Sequence, residues 1–122
     1  MELKKLPRTE LQIMKFIWSS SDKVSAKDIA KFMSENCSWT FGSTSKTILR
    51  LVDKGFIEAK KIGRLNFYSP LVKEEEYLEF ETDDFFKFLH GKSLTGLIST
   101  LQKTKNISDE DIKELKEWIE KK

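Results

Sequence analysis

The first part of the chain alternates apolar and polar residues at the period of amphipathic helices. In RTELQIMKFIWSS, which starts at residue 8, apolar positions recur about every 3.6 residues, and Thr9 with Gln12 has the spacing of a capping box. A second capping-box spacing, Ser25 with Asp28, precedes another apolar stripe. These patterns predict a first helix that begins near Thr9 and a second helix that ends near Asn36.

A third helix is predicted to begin after Thr40, whose hydroxyl can cap it, and to end near Lys54. Gly55 follows at the position where a helix end favours a residue without Cβ. The next two runs, FIEAKKI and LNFYS, alternate in part and are joined by Gly63 and Arg64, which predicts a β-hairpin. The predicted order is therefore three helices followed by a two-stranded hairpin.

The third helix is predicted to have an apolar inner side and a polar, basic outer side. A helical projection places Thr44, Ile48, Leu51 and Val52 on the inner side. The residues of the outer side are of the types that contact phosphates and base edges. They are Ser43, Lys46, Thr47, Arg50 and Lys54.

The hairpin adds three basic residues around its glycine, Lys60, Lys61 and Arg64, which can follow a phosphate backbone. Element order, charge and hairpin chemistry together predict a mainly α fold, a winged helix-turn-helix over residues 1–70, with the third helix in the major groove of double-stranded DNA. The alternative hypothesis is a winged helix that acts as a protein interaction module and has no specific DNA binding.

Pro70 and the acidic segment KEEEYLEFE mark a predicted boundary, after which residues 71–122 form a three-helix domain. The third of these helices is predicted to start with a capping box, Ser108 with Asp111. Three helices in about fifty residues expose more apolar surface than they can cover among themselves, so we expect a second copy to cover it. The predicted homodimer residues are Phe85, Phe86, Leu89, Leu94, Leu97, Ile98, Leu101, Ile112, Leu115 and Ile119.

The distribution of charge agrees with this division of the chain. The formal net charge is only +2, but residues 1–70 contain 13 Lys and Arg against 7 Asp and Glu, a balance of +6. Residues 71–122 contain 9 against 13, a balance of −4. A polyanion is therefore expected to meet the first part of the chain and to be repelled by the second.

Several other classes of protein are not supported by the sequence. Cys37 is the only cysteine and His90 the only histidine, and no glycine-rich phosphate loop or Ser-His-Asp set is present. We therefore predict no enzyme activity, no metal and no cofactor. No apolar run approaches the length of a membrane span, and ELKKLP after Met1 differs from a signal peptide, so we expect a cytoplasmic protein.

Two segments resemble the penicillinase and methicillin-resistance repressor family, which also includes copper-responsive repressors. They are LPRTELQIMKFIW, where Trp18 ends the first helix, and SWTFGSTSKTILRLVDKGFIEAKKIGRLNFYSP, where Trp39 precedes the third. LRLVDKG matches the family's leucine-arginine-leucine and lysine-glycine run, and GRLNFYSP matches its wing. The resemblance extends through ISDEDIKELKEWI. It implies a homodimeric repressor on an inverted-repeat operator, with an N-terminal winged helix and a C-terminal dimerisation domain.

The sequence departs from the family pattern at three places. Ser43 and Lys46 stand where the family tends to have threonines, so the bases contacted there are not carried over. Thr100 and Leu101 align with an Asn-Phe bond that is cut in relatives controlled by a membrane sensor, so a regulatory protease stays unassigned, as does a small effector. The Cys-x-Cys motifs of the copper repressors have no counterpart, and we expect no copper sensing through thiolates.

Overall fold

The computed structural model describes residues 3–122, and it is mainly helical with a small antiparallel sheet. The helices are α1 (Arg8–Ser19), α2 (Ala26–Cys37), α3 (Phe41–Asp53), α4 (Glu74–Asp84), α5 (Leu94–Lys103) and α6 (Asp109–Glu120). A π-helical segment, Phe85–Leu89, follows α4 directly. The strands are β1 (Val24–Ser25), β2 (Ile57–Ile62) and β3 (Leu65–Pro70). The predicted order of three helices and a hairpin is confirmed.

The N-termini of the first three helices are fixed in different ways. The Ser25 hydroxyl accepts a hydrogen bond from the Asp28 backbone N–H at 3.1 Å, and the Asp28 carboxylate accepts one from Ser25 at 3.2 Å, so this capping box is confirmed. Thr40 caps α3 as predicted. The predicted box at Thr9 is wrong, because Pro7 occupies the N-cap position and α1 begins one residue before Thr9.

Helix α3 ends in a glycine-dependent turn that leads into the sheet. Gly55 has a φ of 78°, a conformation that favours glycine. Its N–H donates to the Val52 carbonyl, and the N–H of Phe56 donates to the Leu51 carbonyl, both at 3.0 Å. These two bonds form a Schellman motif, which satisfies the last carbonyls of the helix. The chain then buries Phe56 and enters β2.

The sheet has the strand order β1-β3-β2, with β3 antiparallel to both neighbours. The β2–β3 hairpin, called the wing below, closes where Ile62 pairs with Leu65. Gly63 provides the positive φ, 64°, that a two-residue loop needs there. The two-residue strand β1 was not predicted as a strand, because two residues are too few to show an alternating pattern.

The first compact unit ends at Glu79, further along the chain than the boundary expected at residue 70. Tyr77 is the reason: its hydroxyl accepts a hydrogen bond from the Leu6 backbone N–H at 2.8 Å, and its ring meets the edge of Phe56 at 5.7 Å. The Trp18 indole N–H also donates to the Val72 carbonyl at 2.8 Å. The segment after the wing therefore completes the core of the first unit. The buried apolar residues of this core are Leu6, Ile13, Met14, Ile17, Val24, Ile29, Met33, Ile48, Leu51, Phe56, Ile57, Tyr68, Val72 and Tyr77.

The second compact unit runs from Phe80 to Lys122 and contains the end of α4, the π-helical segment, α5 and α6. The capping box of Ser108 and Asp111 at the start of α6 is confirmed. No side chain between Phe80 and Lys122 is buried. Among residues 3–122, no helix combines the length and the apolar content needed to cross a membrane.

Candidate nucleic-acid interface

One side of α3 packs into the core of the first unit. Thr44, Ile48 and Leu51 are at most 2% exposed, as the helical projection predicted. Thr47 is also only 2% exposed, and its hydroxyl donates to the Ser43 carbonyl at 3.0 Å. The prediction that Thr47 lies on the outer side is therefore wrong. Thr47 is one turn from both Thr44 and Leu51, so it belongs to the same buried stripe.

The second correction concerns Lys54 at the C-terminal end of α3. Its Nζ lies 2.5 Å from Oε1 of Glu10, a carboxylate on α1 that is almost fully buried. Burying a carboxylate is costly unless a cation or hydrogen-bond donor meets it, and Lys54 supplies both. Lys54 is thus committed to joining α3 to α1, and the expectation that it lies on the outer side is wrong.

Lys46, Arg50 and Ser43 lie exposed on the outer side of α3, as predicted. Lys46 and Arg50 are one helical turn apart, and neither has an ion-pair partner within residues 3–122. The Ser43 hydroxyl accepts a hydrogen bond from the Thr40 hydroxyl at 3.1 Å and remains at the surface. Because their charges are not neutralised within the described chain, Lys46 and Arg50 are available to an external anion.

The wing carries its three basic residues at the surface, where Lys60, Lys61 and Arg64 are all exposed. Lys60 pairs with Phe67 and Lys61 with Asn66. Successive residues of a strand point to opposite faces, so the two lysines lie on different faces of the wing. Arg64 is in the loop, next to Gly63. A phosphate backbone passing one face of the wing would therefore meet Arg64 and only one of the two lysines.

Two large apolar residues of α3 are also exposed, and no role was predicted for them from the sequence. Phe41 is 64% exposed and Leu49 is 60% exposed. Leu49 follows Lys46 by three residues, so both lie on the outer part of the helix. That spacing was the signal in the sequence, but an apolar residue on a helix is ordinarily assigned to the core.

The residues predicted for the homodimer interface are all exposed or half-buried, and they lie on the π-helical segment, α5 and α6. Leu89 is 70%, Leu94 56% and Ile119 54% exposed, and Phe85 is 37% exposed. The half-buried residues of the set are Phe86, Leu97, Ile98, Leu101, Ile112 and Leu115. Each compact unit thus has a distinct unpartnered surface, basic on the first and apolar on the second.

Other chemistry is sparse in the part of the chain that the structure describes. The His90 ring packs against Phe85, with their centroids 4.8 Å apart. Cys37 is a free, half-buried thiol. Across residues 3–122, His, Cys, Asp and Glu side chains form no group of three that could hold a metal ion. The exposed basic side of α3 with the wing is therefore the candidate site.

Comparison with known proteins gives a consistent result at the level of sequence and of fold. The family model described as penicillinase repressor matches residues 6–121. The penicillinase repressor of Bacillus licheniformis is 28% identical over 121 residues, which cover 97% of this chain and 94% of the relative.

Two solution structures are similar to the chain. The DNA-binding domain of the repressor BlaI aligns with a TM-score of 0.53 and 32% identity, over 62% of this chain and 94% of that one. The monomeric form of Bacillus licheniformis BlaI, in complex with the blaP half-operator, aligns with a TM-score of 0.54 and 29% identity, over 62% and 92% of the two chains. The winged-helix architecture predicted from the sequence is confirmed.

Proposed function

The chain belongs to the penicillinase repressor family and is a DNA-binding repressor, and we propose that it acts as a homodimer on an inverted-repeat operator. Outward-facing Lys46 and Arg50 on α3 carry the proposal for the DNA contact. They lie one turn apart, opposite the buried stripe of the helix, and have no partner within residues 3–122.

In this proposal α3 enters the major groove, where Lys46 and Arg50 contact guanine or phosphate and Ser43 contacts phosphate. The wing follows the neighbouring backbone with Arg64 and with Lys60 or Lys61. The relative that was solved in complex with a half-operator is similar in fold over 62% of this chain, which supports binding of DNA. Lys54 and Thr47 are left out of the contact set because the first is paired with Glu10 and the second is buried.

The second unit supports the dimer part of the proposal. Forty or so residues that bury none of their apolar side chains lack a core that could stabilise them alone. A second copy related by two-fold symmetry would cover the same apolar surface on both chains. Such a dimer presents two α3 helices to one side of the DNA, so the operator half-sites should be centred about 10 base pairs, or a multiple of that, apart.

The DNA contact is tested by substituting Lys46→Ala in the full chain and measuring binding to a duplex obtained by selection from a random library. We expect a loss of about 1–3 kcal/mol in binding free energy, and a fall of about 0.9 in the slope of log affinity against log salt if Lys46 neutralises a phosphate. Lys103→Ala, at an exposed lysine of α5, is the matched control and should change neither quantity. Weak binding without sequence preference would instead favour the protein interaction module.

The dimer is tested by placing a charge in the apolar surface of the second unit. Leu97→Glu and Leu115→Glu should yield monomers in sedimentation velocity and should weaken operator binding, because the two half-sites are no longer bound together. Ser99→Glu is an exposed position on the same helix as Leu97 and serves as the control. Leu97 and Leu115 variants that remain dimeric with normal operator affinity would refute this interface.

A further inference from the structure

The outer side of α3 has two chemically different edges. Lys46 and Arg50 form the basic edge. Leu49, which is 60% exposed, forms the other edge. The edge at Leu49 belongs to the same helix face as the basic edge and is separate from the buried stripe, whereas Phe41 is two turns before the buried Ile48 and lies on the side of that stripe. A binding partner that contacts Lys46 and Arg50 must therefore also contact Leu49.

Leu49 lies close to the part of α3 that is furthest from the core. With about 3.6 residues per turn, Leu49 and Lys46 fall on either side of the line directly opposite the buried Thr44 and Leu51. When the core side of a recognition helix faces the protein, this opposite line goes deepest into the groove. Leu49 and Lys46 are thus placed toward base edges, whereas Arg50 is placed nearer one phosphate backbone.

Two further residues on this outer line, Asp53 and Gly42, are consistent with this side of α3 facing the bases. Asp53 is exposed one turn after Leu49, and a carboxylate is repelled by phosphates but tolerated beside base edges that donate hydrogen bonds. Gly42 lies on the same line in the first turn. A Cβ built there would meet nothing within 4 Å, so the fold itself does not need a glycine at that position. The missing side chain lets the helix backbone come close to an external surface.

We propose that Leu49 is a specificity-determining residue that contacts the C5-methyl group of a thymine in the operator half-site, next to the base contacted by Lys46. The thymine methyl is the apolar group that base pairs present in the major groove. Leu49 is 60% exposed in the free chain, so contact with such a methyl group would remove apolar surface from water, which is favourable. Contact with a hydrogen-bonding base edge would give Leu49 no such stabilisation. The inference rests on the proposed function, since it assumes that α3 enters the major groove.

The test begins with two parallel selections from a random duplex library, one with the full-length wild-type chain and one with Leu49→Ala. We expect the wild-type half-site to contain a thymine that the variant no longer prefers. Each thymine of the selected duplex is then replaced singly by deoxyuridine, which removes only the methyl group. At one position the wild-type chain should bind about 4-fold more weakly, the effect of one buried methyl, whereas Leu49→Ala should bind both duplexes equally.

The matched control is Leu71→Ala, at a leucine that is 54% exposed outside α3, which should keep the full sensitivity to the methyl group. Because Leu49 is at the surface, its variant should keep the thermal unfolding midpoint of the wild type. A selected duplex whose affinity is indifferent to every thymine-to-deoxyuridine change would overturn the inference alone. So would a Leu49→Ala chain that still discriminates against deoxyuridine. A wild-type selection without any preferred sequence would overturn the proposed function together with the inference.

Discussion

The two compact units are both rich in amphipathic helices but differ in what their apolar side chains contact. In the first unit, α1, α2, α3 and the sheet surround one core, to which Phe56 and Tyr77 contribute large aromatic side chains. In the second, α5 and α6 have clear apolar stripes, yet none of their side chains is buried. Amphipathic patterning shows that a helix face needs covering, but whether the same chain covers it depends on how many faces that chain brings together.

The same contrast holds for charged residues. The first unit uses a cation internally, where Lys54 meets the buried Glu10, and keeps Lys46 and Arg50 free at the surface. The second unit has one ion pair, Lys87 with Asp83, and both of its side chains are largely exposed. In the first unit, one lysine therefore stabilises the fold, while other basic residues remain available to a ligand.

The largest expected effect comes from removing equivalent apolar groups from the two units. Leu51→Ala, at a fully buried position of α3, should lower the free energy of unfolding of the first unit by about 2–5 kcal/mol at any protein concentration. Leu97→Ala, at a half-buried position of α5, should instead destabilise the second unit by an amount that grows as the protein is diluted, because the proposed dimer would link folding of that unit to association.

Hydrogen exchange measured by mass spectrometry distinguishes these cases, because peptides from each unit report their own opening free energy. The comparison would fail if Leu97→Ala gave a large loss that does not depend on concentration, since the second unit would then have a core of its own. It would also fail if Leu51→Ala had little effect on peptides of the first unit.

An intermediate effect is expected from breaking one ion pair in each unit. Lys54→Ala leaves the Glu10 carboxylate buried without its cation and should cost about 1–3 kcal/mol in stability. Lys87→Ala removes an exposed pair and should cost less than about 0.5 kcal/mol. Chemical denaturation of both variants measures the difference.

The operator provides a second measurement on the Lys54 variant. Because Lys54 is engaged with Glu10, its removal should leave the salt dependence of operator binding close to that of the wild type. A reduction of the slope as large as that expected for Lys46→Ala would mean that Lys54 contacts phosphate after all.

The features predicted correctly from the sequence are those whose causes are local. Ser25 and Ser108 were found as capping residues because their partners are three residues away. The hairpin was found because Gly63 interrupts two short apolar runs. The outward position of Lys46 and Arg50 was also predicted, since the residues of a helix face can be identified from its period alone.

Two of the differences from the structure have another cause, because they depend on contacts between residues far apart in the chain. Lys54 was expected at the surface, but its partner Glu10 is on another helix. The end of the first unit was placed at Pro70 because a proline and acidic residues usually mark a linker, whereas Tyr77 is held by Leu6. Thr47 was misassigned for a simpler reason: a polar side chain was assumed to face outward, although its hydroxyl is satisfied by the backbone of its own helix.

The smallest expected effect uses one glycine from each unit to test how far local geometry decides stability. Gly42→Ala in α3 adds a methyl group in open space at a helical position, so it should raise the free energy of unfolding by about 0.5 kcal/mol. Gly96→Ala in α5 adds a Cβ only 2.9 Å from the Ser93 hydroxyl, which caps that helix by accepting a hydrogen bond from the Gly96 N–H. The gain in helix propensity should be cancelled there, because the cap must move to make room for the methyl group.

Thermal unfolding of the two variants should therefore show a higher midpoint for Gly42→Ala and no increase for Gly96→Ala. An equal increase in both would mean that the Ser93 cap adds nothing to the second unit, whose helices would then depend entirely on the surface that covers them.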